Sequence, residues 1–365
     1  MTDGINIREL VLEILLAVTK EEYSHIALSS VLEKHQYLTK QERSFITRVS
    51  EGTLENMIEL DYIIDQFSNT KVKKMKPVIR CILRMGAYQL KYMDSVPASA
   101  ACNEAVKLAE RKGFRNLKGF VNGVLRNISR NLEKIEYPDE KKYPYEAISV
   151  RTSVPVWMLK QWSKDYGLNK AKTIAESFQT KKGTAIRINL TKTTKEALME
   201  SLSKQGIQAE PVVLKEYPDF DYAMYLTGYD YLAGIPEFVQ GDFTVQDVSS
   251  MLVTHVAAPK AGDYVIDVCR CGMKNICAKQ MDACIPDEAS IKKADLVIAD
   301  LPCSGLGVLR KKPDIRYRMT EEKEKSLAAL QRQILSVVCE YVKDGGTLLY
   351  STCTIDRMEN EENTA

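Results

Sequence analysis

The chain has 365 residues, 45% hydrophobic and 27% charged, the balance of a globular protein and too long for one ordinary core, so about two or three domains are expected. No apolar run is long enough to span a bilayer and the opening MTDGINIREL has no signal-peptide h-region, so a cytoplasmic protein without membrane association is expected. Nine cysteines, an odd number with no framework spacing, point to reduced thiols rather than disulfides.

From Ile5 to about Leu132 apolar residues recur at helical spacing: Leu10, Ile14 and Leu15; Val78, Ile82 and Met85; Phe120, Val124, Leu125 and Ile128. The breakers Gly52, Pro77 and Pro97 lie between these runs, so residues 1–134 are expected to form an all-helical domain of about six helices. Its charge is uneven. Residues 1–65 hold 6 Lys and Arg against 12 Asp and Glu, whereas residues 66–134 hold 15 against 4. A solvated helical surface would accept that excess, but its concentration in one half favours a polyanion, and Lys73, Lys74 and Lys76 are candidate RNA contacts.

Residues 135–154, with two prolines and mixed charge, read as a linker. Helical stretches around Trp157–Tyr166 and Lys195–Gln205 then alternate with strand-like AIRINL and AEPVVL, which predicts a small α+β subdomain over 155–243. Residues 244–365 carry strand-like DYVIDV, ICAKQMD, DLVIAD and GTLLYST, with an amphipathic helix from Glu321 to Val342. This alternation predicts a parallel, Rossmann-like α/β sheet. Ligands bind beyond the carboxyl ends of such strands, so Asp267–Cys269, Asp282, Asp300–Cys303 and Ser351–Cys353 should share one rim.

Two of these segments place a thiol at a strand end: DLPCSG at Asp300–Gly305 and STC at Ser351–Cys353. Most cysteines are small buried residues without chemistry. A pair at neighbouring strand ends, one beside an Asp and a Pro, is less easily dismissed. Carbon 5 of cytosine becomes nucleophilic once a thiolate adds to carbon 6, and a carboxylate at ring nitrogen 3 assists that addition. A second thiol can assist the final elimination. By the residues alone, which thiol attacks stays open.

DLPCSGLGVLRKKPDIRYR, LAALQRQIL, GGTLLYSTCTI followed by ENE, and FTVQDVSSML resemble the RNA cytosine-C5 methyltransferases, which use S-adenosylmethionine. GFVNGVLRN at Gly119–Asn127 resembles the NusB-type helical RNA-binding domain, and the combination is similar to the RsmB (Sun) type of bacterial ribosomal RNA methyltransferase. The resemblance implies methyl transfer to a cytosine of small-subunit ribosomal RNA by a monomer. It implies Cys353 as nucleophile, Cys303 as the residue assisting product release and Asp300 as a contact to base and cofactor. It also implies a cofactor site lined by Asp267, Cys269, Asp282, Asp300 and Pro302, with Asp282 at the adenine.

The stretch VIDVCRCGMKNICAKQMDAC departs from that family, whose corresponding strand runs into a glycine loop of the AAPGGK type. Only residues 268–275 separate VID from ICAKQMD, fewer than the dozen or so a parallel crossover needs. Either these strands are not parallel neighbours or a segment is absent between Cys269 and Arg270; absence is the expectation. The chain also ends at ENEENTA, before the family's last strands, so an incomplete catalytic domain is expected. Cys269, Cys271, Cys277 and Cys284 lack the C-x2-C pairs of zinc sites, and no metal is expected. Arg310, Lys311 and Lys312 of RKKPD suggest a phosphate-contacting loop beside the active site, and Arg187 and Asn189 of RINL suggest further RNA contacts. The rival reading is a catalytically silent RNA-binding or assembly factor on the same scaffold.

Overall fold

The computed structural model describes residues 6–180, 183–267 and 279–364. They form two compact units: Met1–Thr180 with Val308–Met319, and Lys181–Gly307 with Thr320–Ala365.

The first unit is helical. Its NusB-like part holds α1 (Ile7–Thr19), α2 (Ser24–Lys34), α3 (Lys40–Glu55), α4 (Met57–Phe67), α5 (Pro77–Tyr92), α6 (Ala98–Arg111) and α7 (Lys118–Arg130). The helix starts are encoded locally. Thr39 and Glu42 form a reciprocal capping box on α3. Pro77 opens α5, where a missing N–H costs nothing. The apolar stripes meet in one core: α5 contributes Ile79, Ile82, Leu83 and Met85, and α7 contributes Val121, Val124, Leu125 and Ile128. Truncating any of these large side chains to Ala should cost about 2–5 kcal/mol. Helices α3 and α5 approach closely at Gly52, where a Cβ would lie 2.1 Å from the Tyr88 ring.

The proline-bearing stretch expected to be a linker is packed in its second half. Pro144 opens α8 (Pro144–Thr152), which buries Ala147, Ile148 and Val150. In the first half, Tyr137 donates to the buried Glu59 carboxylate at 2.8 Å, which also accepts from Lys91 at 2.6 Å. Prolines at a helix start and a tyrosine with a buried acceptor explain why this composition folds rather than swings. Helices α9 (Val156–Tyr166) and α10 (Leu168–Ser177), expected with the small subdomain, complete the helical unit.

Residues 308–319 also belong to this unit. Arg316, 2% exposed, donates to the carbonyls of Glu55 at 2.8 Å and Thr152 at 3.4 Å. Tyr317 donates to the Leu54 carbonyl at 2.7 Å, and the buried Asp314 accepts from the Ser24 hydroxyl.

The second unit has two sheets. In the ferredoxin-like one, β1 (Thr184–Ile188), β2 (Gln208–Pro211), β3 (Ala223–Thr227) and β4 (Phe243–Val245) pair antiparallel in the order β2-β3-β1-β4. Ile186, Ile188, Met224 and Leu226 pack on Leu198 and Leu202 of α11 (Lys195–Lys204). After α12 (Val248–Ala257) comes a parallel sheet of β5 (Val265–Asp267), β6 (Ala294–Asp300) and β7 (Val342–Ser351), order β5-β6-β7. The helix α13 (Glu321–Val338) packs Ile334, Leu335 and Val338 over it.

β6 is buried along almost its whole length because it is the central strand, which is why ADLVIAD is a continuous apolar run. Of ICAKQMD, expected as a strand, residues 276–278 lie outside the described residues, and Lys279–Asp282 are not in a strand. The parallel neighbour of β5 is β6, reached through residues 268–293, a connection long enough for a crossover.

Candidate active site

The register brings the expected rim together. Asp267 ends β5, Asp300 ends β6, and Asp300 is the direct partner of Ser351 at the end of β7. The Ser351 hydroxyl donates to Asp300 Oδ1 at 3.2 Å. Strands β6 and β7 end at the same level, so a local sequence feature after each becomes a shared site, while Asp267 lies level with Ile298, two positions before Asp300.

Beyond these ends lie the two thiols. Cys303 Sγ and Cys353 Sγ are 3.0 Å apart. The main-chain N–H of Cys353 donates to Cys303 Sγ at 3.2 Å, and the N–H of Gly307 donates to the Cys353 carbonyl at 3.0 Å. Cys353 is exposed and Cys303 half-buried. The hydrogen bond with Cys353, then burial, then the charge of that same neighbour push the Cys303 thiol far above its ordinary range. Cys303 therefore keeps its proton and can donate it, while the exposed sulfur is the one an incoming electrophile meets.

Under the thiols runs a buried polar cluster whose members the resemblance quoted without a role. Glu359 and Gln331 are fully buried, Ser304 and Thr354 nearly so. Glu359 Oε2 accepts from the Ser304 N–H at 2.9 Å and from Gln331 Nε2 at 2.8 Å. Gln331 Nε2 also donates to the carbonyl of Pro302 at 2.8 Å. Their signal in the sequence was polarity at positions of α13 and of the ENE stretch that an apolar pattern would have filled.

The remaining candidates divide. Asp282 lies in a turn, not at a strand end, and its Oδ1 accepts from the Cys284 N–H. Cys269, Cys271 and Cys277 lie outside the described residues. Among the described residues no group of three or more His, Cys, Asp or Glu could hold a metal ion. Lys73 and Lys74 stand exposed on a single 3₁₀ turn, with Lys76 just beyond it. Arg187 is half-exposed on β1, but the Asn189 amide is engaged internally, donating to the Gly241 carbonyl at 3.0 Å and accepting from Thr191. The RKKPD segment, expected to contact phosphate, belongs to the helical unit. Arg310 donates to the Thr180 carbonyl at 3.2 Å, and Lys311 and Lys312 are exposed residues. Burial of Asp314 and Arg316 immediately downstream is the physical reason.

Three family profiles match this architecture: the NusB family over residues 5–130, the RsmF/B-like ferredoxin-like domain over 154–218, and 16S rRNA methyltransferase RsmB/F over 253–365. With the parallel sheet, they define the class as an RNA methyltransferase. A probable ribosomal RNA small subunit methyltransferase B of Bacillus subtilis is 33% identical over 397 residues, covering 98% of this chain and 87% of that protein. A counterpart from Synechocystis is 29% identical, again covering 98% and 87%. The crystal structure of PH0851 superposes with a TM-score of 0.77 at 20% identity, over 99% of this chain and 89% of that one. The chain belongs to the ribosomal RNA small subunit methyltransferase B family. No helix among the described residues is long and apolar enough to cross a membrane.

Proposed function

We propose that the protein methylates carbon 5 of a cytosine in small-subunit ribosomal RNA through a covalent bond between Cys353 and carbon 6. The observation that carries the reading is the contact of two thiols, 3.0 Å apart, on the rim that ends in Asp300. Cys353, the exposed member, adds as thiolate to carbon 6 and makes carbon 5 nucleophilic. Asp300, oriented by the Ser351 hydroxyl, holds ring nitrogen 3 and its proton. Cys303, which keeps its proton, gives it to the departing Cys353 thiolate as the carbon 6–sulfur bond breaks, while the carbon 5 proton passes to solvent.

Asp267 and Asp300 bring two carboxylates to neighbouring strand ends, acceptors that fit the hydroxyl and amino groups of S-adenosylmethionine. S-adenosylmethionine supplies the methyl group when bound. The same reading keeps a segment absent between Cys269 and Arg270; the match to the B. subtilis relative runs over 397 positions against this chain's 365 residues, which is compatible with a stretch present there and missing here. RNA is the partner of the basic half of the NusB-like domain, through Lys73, Lys74 and Lys76, with Arg187, Lys311 and Lys312 as further contacts.

The test is adduct trapping with a small-subunit ribosomal RNA fragment and S-adenosylmethionine. Blocking a late step traps what an earlier one made. Cys303→Ala should accumulate a protein–RNA adduct that survives denaturing electrophoresis, and Cys353→Ala should form no adduct and transfer no methyl group. An adduct in Cys353→Ala alone would reverse the two roles. Absence of both adduct and methylation in every form would favour the silent RNA-binding factor.

A further inference from the structure

We propose that Gln331 and Glu359 are positioning residues: together they clamp the main chain on both sides of Cys303 and so hold its thiol against Cys353. The proposal rests on the catalytic reading above for its purpose, but its geometry stands separately.

The tripeptide Pro302–Cys303–Ser304 follows β6 with no regular structure to fix it. Its polar main-chain atoms on either side of the cysteine are bound by one pair of side chains. Gln331 Nε2 takes the Pro302 carbonyl at 2.8 Å, and Glu359 Oε2 takes the Ser304 N–H at 2.9 Å. The two side chains are bonded to each other at 2.8 Å, closing the clamp. Neither has any exposed surface, so water does not compete for these bonds.

The far side of the clamp is tied to the other cysteine. Gln331 Oε1 accepts from the Tyr350 hydroxyl at 3.2 Å and from Asn363 Nδ2 at 2.7 Å. Tyr350 stands three positions before Cys353 and also donates to the Glu359 carbonyl. The Ser304 hydroxyl donates to Thr354 Oγ1 at 2.8 Å, one residue after Cys353. Both loops are thus referred to Gln331 and Glu359, which lie on a helix and on a later loop. Reacting groups displaced by about 1 Å can lose on the order of a hundredfold in rate, so a clamp of this kind has catalytic leverage without touching substrate.

A chemical fact about Glu359 makes the idea testable. Its Oε1 is buried with no hydrogen-bond partner among the described residues, whereas Oε2 accepts both bonds. Glu359→Gln can keep the accepting oxygen in place; Glu359→Ala cannot.

The experiment measures thiol proximity directly, without RNA or methyl donor. Reduced full-length protein is treated with oxidised dithiothreitol, which takes up the two electrons and two protons released as Cys303 and Cys353 join. The linked peptides are then followed by mass spectrometry. The wild type should pair these two cysteines ahead of all others. Glu359→Ala and Gln331→Met should slow that pairing by about tenfold or more, and Glu359→Gln should restore it to within about threefold. With RNA, the two disruptive variants should lower kcat and leave KM nearly unchanged. Circular dichroism verifies folding; if Glu359→Ala unfolds, Gln331→Met, which keeps volume and helix propensity, decides. Wild-type pairing speed in a folded Gln331→Met, or no preferential pairing in the wild type, overturns the proposal. Clamp-dependent pairing in a protein that never methylates RNA would leave the clamp standing and sink the catalytic reading instead.

Discussion

The guanidinium of Arg316 donates to the main-chain carbonyl of Glu55 at 2.8 Å, across 261 positions of sequence. The bond anchors residues 308–319 inside the helical unit. Leu309 and Thr152 carbonyls share the same guanidinium, at 3.5 and 3.4 Å. Burial lowers the affinity of Arg316 for its proton, with the nearby Tyr317 and Glu55 opposing it.

Removing this anchor should unfold the helical unit early. Arg316→Met leaves buried carbonyls without a donor while keeping most of the apolar stem, and should cost on the order of 3 kcal/mol. Urea unfolding followed by helical circular dichroism checks this. An unchanged midpoint would show that the segment docks by shape alone.

Tyr317 predicts a signature at high pH. Burial pushes its hydroxyl up to about 12 from an ordinary 10.0. The folded state therefore holds the proton more tightly than the unfolded chain. Stability from this source is intact below pH 10 and is lost as pH rises towards about 12. Tyr317→Phe loses the bond to the Leu54 carbonyl, a constant offset of about 1 kcal/mol, but should show a flatter decline over that window. Parallel curves for the two proteins would contradict the assignment.

The two thiols should differ in reactivity. Cys353 is exposed, and Cys303 is held protonated by its neighbour and by burial. Iodoacetamide reacts with thiolate, so Cys353 should be labelled first. The lag of Cys303 should persist at about pH 9, where ordinary thiols are largely ionised. Peptide mapping over time gives the order. Equal rates at that pH would remove the argument for Cys303 as proton donor.

RNA affinity should depend on the basic half of the NusB-like domain. Reversing Lys73, Lys74 and Lys76 to Glu removes three exposed cations, two on the 3₁₀ turn and one just beyond it. If each meets a phosphate, the slope of log affinity against log salt should flatten by about 2 for single-stranded RNA. Filter binding at several salt concentrations measures it. An unaltered slope would move the RNA surface elsewhere.

What could be read without coordinates was what neighbouring residues encode. Helical periodicity marked the NusB-like core from Leu10 to Ile128, because amphipathic spacing is local. The thiols could be placed at a shared rim because an apolar strand announces where it ends, and parallel strands in register end together. Composition misled at 135–154, where prolines that resemble a linker start a buried helix. At RKKPD it did not show that a basic run leads into a buried Asp314 and Arg316. The partners that decide those cases, Ser24, Glu55 and Thr152, are far away in sequence. The same holds for the clamp around Cys303. Gln331 and Glu359 are single polar residues in unremarkable contexts, and only the folded chain brings their side chains to the two main-chain atoms that flank a cysteine. Buried hydrogen bonds join whatever the topology makes adjacent, and no local pattern records that adjacency.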